Sequence, residues 1–225
     1  METLAKGYTL EICEGGFPLS TDSMVLAHFA RLPRKARVLD LGSGCGTLGL
    51  LLCARDDHCH VTGLELSETA HLCALENIRR NGLEDRMESV RTDLRLFREK
   101  GAFDVCISNP PYFTGGPAAM LKDARREDQC TLNVLFAAAA GALKFGGDFF
   151  LVHRPERLAE ICAAGSETGL EPKRLGLLRH KEGGGVSLVL VQCRKGAKAG
   201  LSWEELCLHH RDGSPTELYQ SIYHL

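Results

Sequence analysis

Short apolar runs alternate with helical stretches along most of this chain, starting near residue 37. Runs at 37–41, 60–65 and 103–108 carry Val, Ile, Leu and Phe, the signature of buried strands, and 87–92 is a further strand-like run ending at Asp93. A helix is expected at 47–55. Further along, a helix at 131–143 is expected to break at Gly146-Gly147, ahead of a strand at 148–152 and a helix from 155 to about 165. Two last strands are predicted near 174–178 and 187–193, joined by Lys181-Glu182-Gly183-Gly184-Gly185, which is short enough for a hairpin. Strand and helix in alternation predict a parallel sheet covered on both faces, and the hairpin makes the last strand antiparallel. The expectation is an α/β fold with a seven-stranded, mostly parallel sheet. One domain over 1–225 is expected: a helical, substrate-side segment at 1–36, the core at 37–195 and an extension at 196–225 with little regular pattern.

Composition narrows this only slightly. Of 225 residues, 44% are hydrophobic and 25% charged, ordinary globular values that exclude disordered and fibrous classes. No run approaches the 18 or so apolar residues of a membrane span, and residues 1–6 lack the basic start and apolar core of a signal peptide, so the cytosol is the expected location. Ten cysteines sit singly at 13, 45, 53, 59, 73, 106, 130, 162, 193 and 207, with no Cys-x-x-Cys. That spacing argues for free, apolar-face cysteines and against a disulfide framework or a structural metal. His209, His210 and His224 have no partner at ligand spacing, and Trp203, Tyr219 and Tyr223 are expected to pin the tail to the domain.

The candidate chemistry sits at the ends of the predicted strands, where α/β sheets bind nucleotide-like ligands. The run 37–41 leads into Gly42-Ser43-Gly44-Cys45-Gly46, with Asp40 just before it; the glycines permit sharp turns and close approach to a ligand. The spacing is Gly-x-Gly-x-Gly, not the Gly-x-Gly-x-x-Gly of dinucleotide sites, and indicates no pyrophosphate cradle. Glu65 closes the second strand about 20 residues on, where a carboxylate can accept both hydroxyls of a ribose. Asp93 closes the third and could accept from an adenine amino group. After the fourth strand comes Asn109-Pro110-Pro111-Tyr112. Two prolines fix φ and remove two N–H donors, so the carbonyls of Asn109 and Pro110 project as acceptors beside the Asn109 side-chain oxygen. Such acceptors can hold both hydrogens of a planar amino group while its nitrogen attacks an electrophile. Tyr112 adds a ring face for stacking a flat substrate.

These residues resemble the class I S-adenosylmethionine-dependent methyltransferases over roughly residues 16 to 195. The resemblance implies a Rossmann-like fold and S-adenosylmethionine as cofactor. It places Asp40, Gly42, Gly44 and Gly46 in the cofactor loop, Glu65 at the ribose, Asp93 near the adenine, and Asn109, Pro110, Pro111 and Tyr112 in the catalytic motif of the amino-methylating branch. More narrowly, Phe17-Pro18-Leu19-Ser20-Thr21-Asp22-Ser23, Arg125-Arg126-Glu127 and the stretch from Gly146-Gly147 to Leu158 are similar to bacterial tRNA1(Val) adenine-37 N6-methyltransferases. That similarity puts Thr21 and Asp22 on the cofactor side. Cys45 departs from the family, standing where Thr or Ala is frequent.

The acceptor is less constrained. Asn-Pro-Pro-Tyr chemistry suits adenine N6, other base amines and a glutamine side-chain amide, and a net charge of −2 shows no overall basic footprint for nucleic acid. Local basic clusters exist, of which Lys122, Arg125 and Arg126 follow the motif most closely, with Phe113 beside Tyr112 as a further substrate contact. Gly115-Gly116 suggests a rim able to admit a flipped base. Together with the resemblance of the flanking segments to the tRNA adenine enzymes, this makes N6-methylation of adenine in tRNA the expected activity. Glutamine N5-methylation of a release factor and a non-catalytic cofactor-binding module are the alternatives. No membrane or metal partner is expected.

Overall fold

The computed structural model describes residues 1–111 and 131–223. Two short strands, β1 (Glu2–Thr3) and β2 (Thr9–Leu10), pair antiparallel ahead of α1 (Thr21–Phe29). Ser20 starts that helix, its hydroxyl accepting from Ser23 N–H at 3.3 Å. There follow β3 (Arg37–Leu41), α2 (Thr47–Arg55), β4 (His60–Glu65), α3 (Glu68–Arg80), β5 (Met87–Arg91) and β6 (Phe103–Ser108). The second half contains α4 (Leu132–Ala142), β7 (Leu143–His153), α5 (Leu158–Thr168), β8 (Leu170–Lys181), β9 (Leu188–Lys195), β10 (Ser202–His209) and α6 (Glu217–Tyr223).

One sheet runs in the order β10-β8-β9-β7-β6-β3-β4-β5. Every neighbouring pair is parallel except those made by β9, which is antiparallel to both β7 and β8. The hairpin and the antiparallel last strand of the core stand as expected, but the sheet has eight strands, not seven. The extra one comes from the stretch expected to be pattern-free: β10 adds to β8 in parallel, Ser202 opposite Arg174. As an edge strand it keeps Trp203 65% exposed and carries Glu204 and Glu205, so no apolar alternation betrays it. Trp203 therefore does not anchor the tail. That is done by Ile222, buried in the core with Tyr219 packed beside it, and by Tyr223, whose hydroxyl lies 2.7 Å from that of Thr21.

Gly146 and Gly147 also differ from expectation. α4 ends at Ala142, and both glycines lie inside β7 where its register against β6 shifts. A Cβ on Gly147 would stand 2.9 Å from the Asp104 carbonyl oxygen, so the close strand approach requires glycine there.

Consecutive phenylalanines on β7 display the layering. Phe149 meets Phe136 of α4 edge-on at 5.1 Å, and Phe150 meets Phe29 of α1 edge-on at 6.2 Å on the opposite face. α1, α2, α3 and α6 pack on the Phe150 side, α4 and α5 on the Phe149 side. Five parallel strands between these layers align their carboxyl ends, and the loops leaving β3, β4, β5 and β6 meet there.

Candidate active site

Beyond Leu41 the chain turns through the glycine loop into α2. Gly42 (φ +76°) and Gly44 (φ +55°) take left-handed backbone, and a Cβ at either would meet no atom within 4 Å. Both line a cavity of about 690 Å³ at the strand ends. Gly46 (φ +85°) serves another purpose: a Cβ there would stand 2.8 Å from Met87 Cε, so this glycine lets α2 pack on β5. The loop is latched from below. The Leu64 carbonyl accepts from Gly42 N–H at 3.0 Å and Ser43 N–H at 2.9 Å, and Glu65 Oε2 accepts from Gly44 N–H at 2.8 Å. Donors that would cradle a phosphate are thus consumed internally, in keeping with the Gly-x-Gly-x-Gly spacing.

Asp40 is the most unusual group in the cavity. It is 1% exposed, and neither carboxylate oxygen has a hydrogen-bond partner among the described residues. Burial, with the Glu65 charge second, pushes its carboxyl up to about 8. A buried acid without a partner fits a ligand that brings positive charge, as the sulfonium and ammonium of S-adenosylmethionine do. Glu65 meanwhile accepts from Ser67 N–H at 2.7 Å through Oε1, which fixes the carboxylate at the end of β4 beside the cavity. Each oxygen keeps a further lone pair for a sugar hydroxyl.

Asp93 follows β5 and is engaged by Arg95, whose backbone N–H donates to it at 2.8 Å and whose Nη2 lies 2.5 Å from Oδ2. The Arg95 hydrogen bond holds this carboxyl below its usual range. An adenine amino group would share it with that guanidinium. Leu66 and Leu94, each next to a strand-end acid, give the cavity apolar walls suited to a flat ring.

At the end of β6, the buried Ser108 hydroxyl donates to the Leu41 carbonyl at 2.7 Å, tying this strand end to the glycine loop. Asn109 Nδ2 donates to Ser23 Oγ of α1 at 2.9 Å. With the amide nitrogen committed to that partner, Oδ1 is the acceptor on the opposite edge of the group. Pro110 is buried and Pro111 half-buried behind it.

Of the residues expected from sequence, Asp22, Asp40, Gly42, Gly44, Glu65, Asp93, Asn109, Pro110 and Pro111 line this one cavity. Thr21 does not join them: its hydroxyl is 2.7 Å from the Tyr223 hydroxyl, and it lines a separate, smaller cavity against β1 and α6. Gly46 is also absent from the lining. Tyr112, Phe113, Lys122, Arg125 and Arg126 lie outside the described residues. Sequence reasoning missed Ser23 as the partner of Asn109, and Leu66 and Leu94 as walls; an apolar residue directly after each strand-end acid was the available signal. It also missed the segment 13–18, which forms the outer wall with Phe17 65% exposed.

Residues 20–161 match the family model of the methyltransferase small domain. A tRNA1(Val) (adenine(37)-N6)-methyltransferase of Bacteroides thetaiotaomicron is 32% identical over 177 residues, covering 77% of this chain and 75% of that protein. Its namesake from Actinobacillus pleuropneumoniae is 28% identical over 209 residues, covering 91% of this chain and 87% of that protein. The crystal structure of a predicted O-methyltransferase from Agrobacterium tumefaciens shares the fold, with a TM-score of 0.76 at 23% identity over 90% of this chain and 95% of that one. Family match, fold and an acid-lined cavity agree: the chain belongs to the methyltransferase small-domain family and is an S-adenosylmethionine-dependent methyltransferase.

Proposed function

We propose that the protein methylates the N6 amino group of adenine in tRNA, with residues 1–225 acting as one catalytic unit. The observation that carries the amine chemistry is Asn109, held by Ser23 at the mouth of the cavity with two prolines behind it. The tRNA part of the reading draws on the names of the relatives.

S-adenosylmethionine supplies an electrophilic methyl group on a sulfonium. Asp40 would oppose the positive charge of the cofactor, Glu65 would accept from its ribose, and Leu66 and Leu94 would flank its base. Asn109 Oδ1 and the Pro110 carbonyl accept the two hydrogens of the substrate amine. That contact turns the nitrogen lone pair away from the ring and toward the methyl, an interaction that strengthens as the nitrogen becomes tetrahedral. No general base is needed while the amine is neutral, since the proton leaves to water after transfer. Tyr112 stacks on the base, and Arg125 and Arg126 hold phosphates.

Tritiated-methyl transfer from labelled cofactor to total tRNA, compared with total protein and followed by nucleoside digestion, tests this. Label in N6-methyladenosine is expected. Label confined to protein, recovered as N5-methylglutamine, would replace this reading with the glutamine one, and no label in either would leave a binding module.

A further inference from the structure

Three cysteines far apart in the chain converge at the cavity wall. Cys13 precedes α1, Cys45 belongs to the glycine loop and Cys73 lies on α3; their Sγ atoms all fall within 4.8 Å of one another, Cys13 and Cys45 at 3.5 Å. Sulfurs bound to one zinc ion at about 2.3 Å stand roughly 3.8–4.0 Å apart, so small side-chain rotations bring all three into its coordination sphere.

The backbone under these thiols is held mainly by an amide, to which the Cys73 thiol adds a hydrogen bond to the Glu11 carbonyl at 3.3 Å. Asn77, one turn beyond Cys73, is fully buried. Its Nδ2 donates to the Cys45 carbonyl at 3.0 Å and the Glu11 carbonyl at 2.9 Å, while its Oδ1 accepts from Glu11 N–H at 2.9 Å. One amide therefore clamps all three thiol-bearing segments together. Gly16 completes the turn around Cys13: its N–H donates to the Cys13 carbonyl at 2.9 Å, and a Cβ there would come within 3.1 Å of the thiol. Cys13 and Cys45 line the cavity, so solvent can supply a fourth ligand from that side.

We propose that Cys13, Cys45 and Cys73 form a binding site for a thiophilic divalent cation, with Zn²⁺ as its natural probe. All-sulfur donors disfavour Mg²⁺ and Ca²⁺, which require oxygen. The bound ion would fasten the segment before α1, the outer cavity wall, to the glycine loop. Binding deprotonates the three thiols and releases those protons to solvent. A Cys13–Cys45 disulfide would leave Cys73 without a role.

The test uses the full chain, reduced and stripped with a chelator, then titrated with Zn²⁺ against a chromophoric competitor. Cysteines shielded from alkylation are mapped by mass spectrometry. One equivalent should bind at least tenfold more tightly than any other, protect Cys13, Cys45 and Cys73 together, and raise Tm. Cys73→Ser should lose that equivalent, while Cys162→Ser keeps it. The protection map is read on the wild-type chain and needs no variant to fold. Absence of tight Zn²⁺ uptake, uptake that leaves those three cysteines reactive, or undiminished uptake by Cys73→Ser would each overturn the site.

Discussion

Asn109 illustrates how one hydrogen bond divides a side chain into two jobs. Its Nδ2 donates to Ser23, and in the proposed reaction that contact orients the side-chain amide toward the substrate amine. Asn109→Ala should lower turnover on the order of a hundredfold while leaving cofactor affinity nearly intact, because an oriented acceptor in a dry site acts mainly in the transition state. Ser23→Ala removes only the orienting contact, and a drop of about five- to tenfold is expected. Single-turnover rates at saturating cofactor, set beside calorimetric affinities, separate the two effects; wild-type turnover by Asn109→Ala would sink the assignment. Asp40 gives a pH signature. Its folded pKa is raised from 3.8 to about 8, so the folded chain holds a proton that the unfolded chain releases. Stability from this group therefore falls as pH rises between about 4 and 8. Asp40→Asn should flatten that slope. Cofactor binding at pH 7 should also release a proton, read from calorimetry in buffers of differing ionisation enthalpy; a buffer-independent heat would remove Asp40 from the cofactor's charge.

At the scale of elements, Arg174 joins three pieces of the fold. Its guanidinium lies 3.7 Å from the Phe29 ring centroid of α1 and donates to Glu204 of β10 at 2.6 Å and to the Phe29 carbonyl at 3.2 Å. Arg174→Ala should cost about 2–3 kcal/mol, from the cation–π contact and the carbonyl left without its donor. Arg174→Lys should recover less than half, since a point charge cannot stack and donate at once. Urea denaturation followed by far-UV circular dichroism measures both; a loss under about 0.5 kcal/mol would mean that β10 and α1 are held elsewhere. The core strands β3, β4 and β6 were legible because most of their residues are buried and apolar and each runs into turn residues; the edge strand β5, with only Met87 buried, was legible from its place in the alternation of strand and helix. β10 was not, since a strand paired on one side need bury little, and its partner β8 lies about 30 residues upstream.

For the molecule as a whole, a net charge of −2 means that any grip on RNA must come from local cations. Replacing Arg125 and Arg126 together with Ala should reduce the slope of log affinity against log salt for tRNA by up to about two units. Filter binding across a salt series reads this, and an unchanged slope would place the phosphate contacts elsewhere. No helix among the described residues is long and apolar enough to cross a membrane.

Sequence by itself determined the sheet of the core and the strand-end position of Asp40, Glu65, Asp93 and Asn109. Those features are local: burial of a strand shows as an apolar run, and a turn shows in its glycines and prolines. Only the tertiary structure decided what depends on distance through space. It set Ser23 against Asn109 across 86 residues of chain, left Asp40 buried without a partner among the described residues, turned Thr21 away to Tyr223, and gathered Cys13, Cys45 and Cys73 around one point. Spacing along the chain argued for free cysteines, because three thiols from separate segments leave no short repeat in a sequence. They meet because a buried amide on α3 and a glycine turn hold their backbones together.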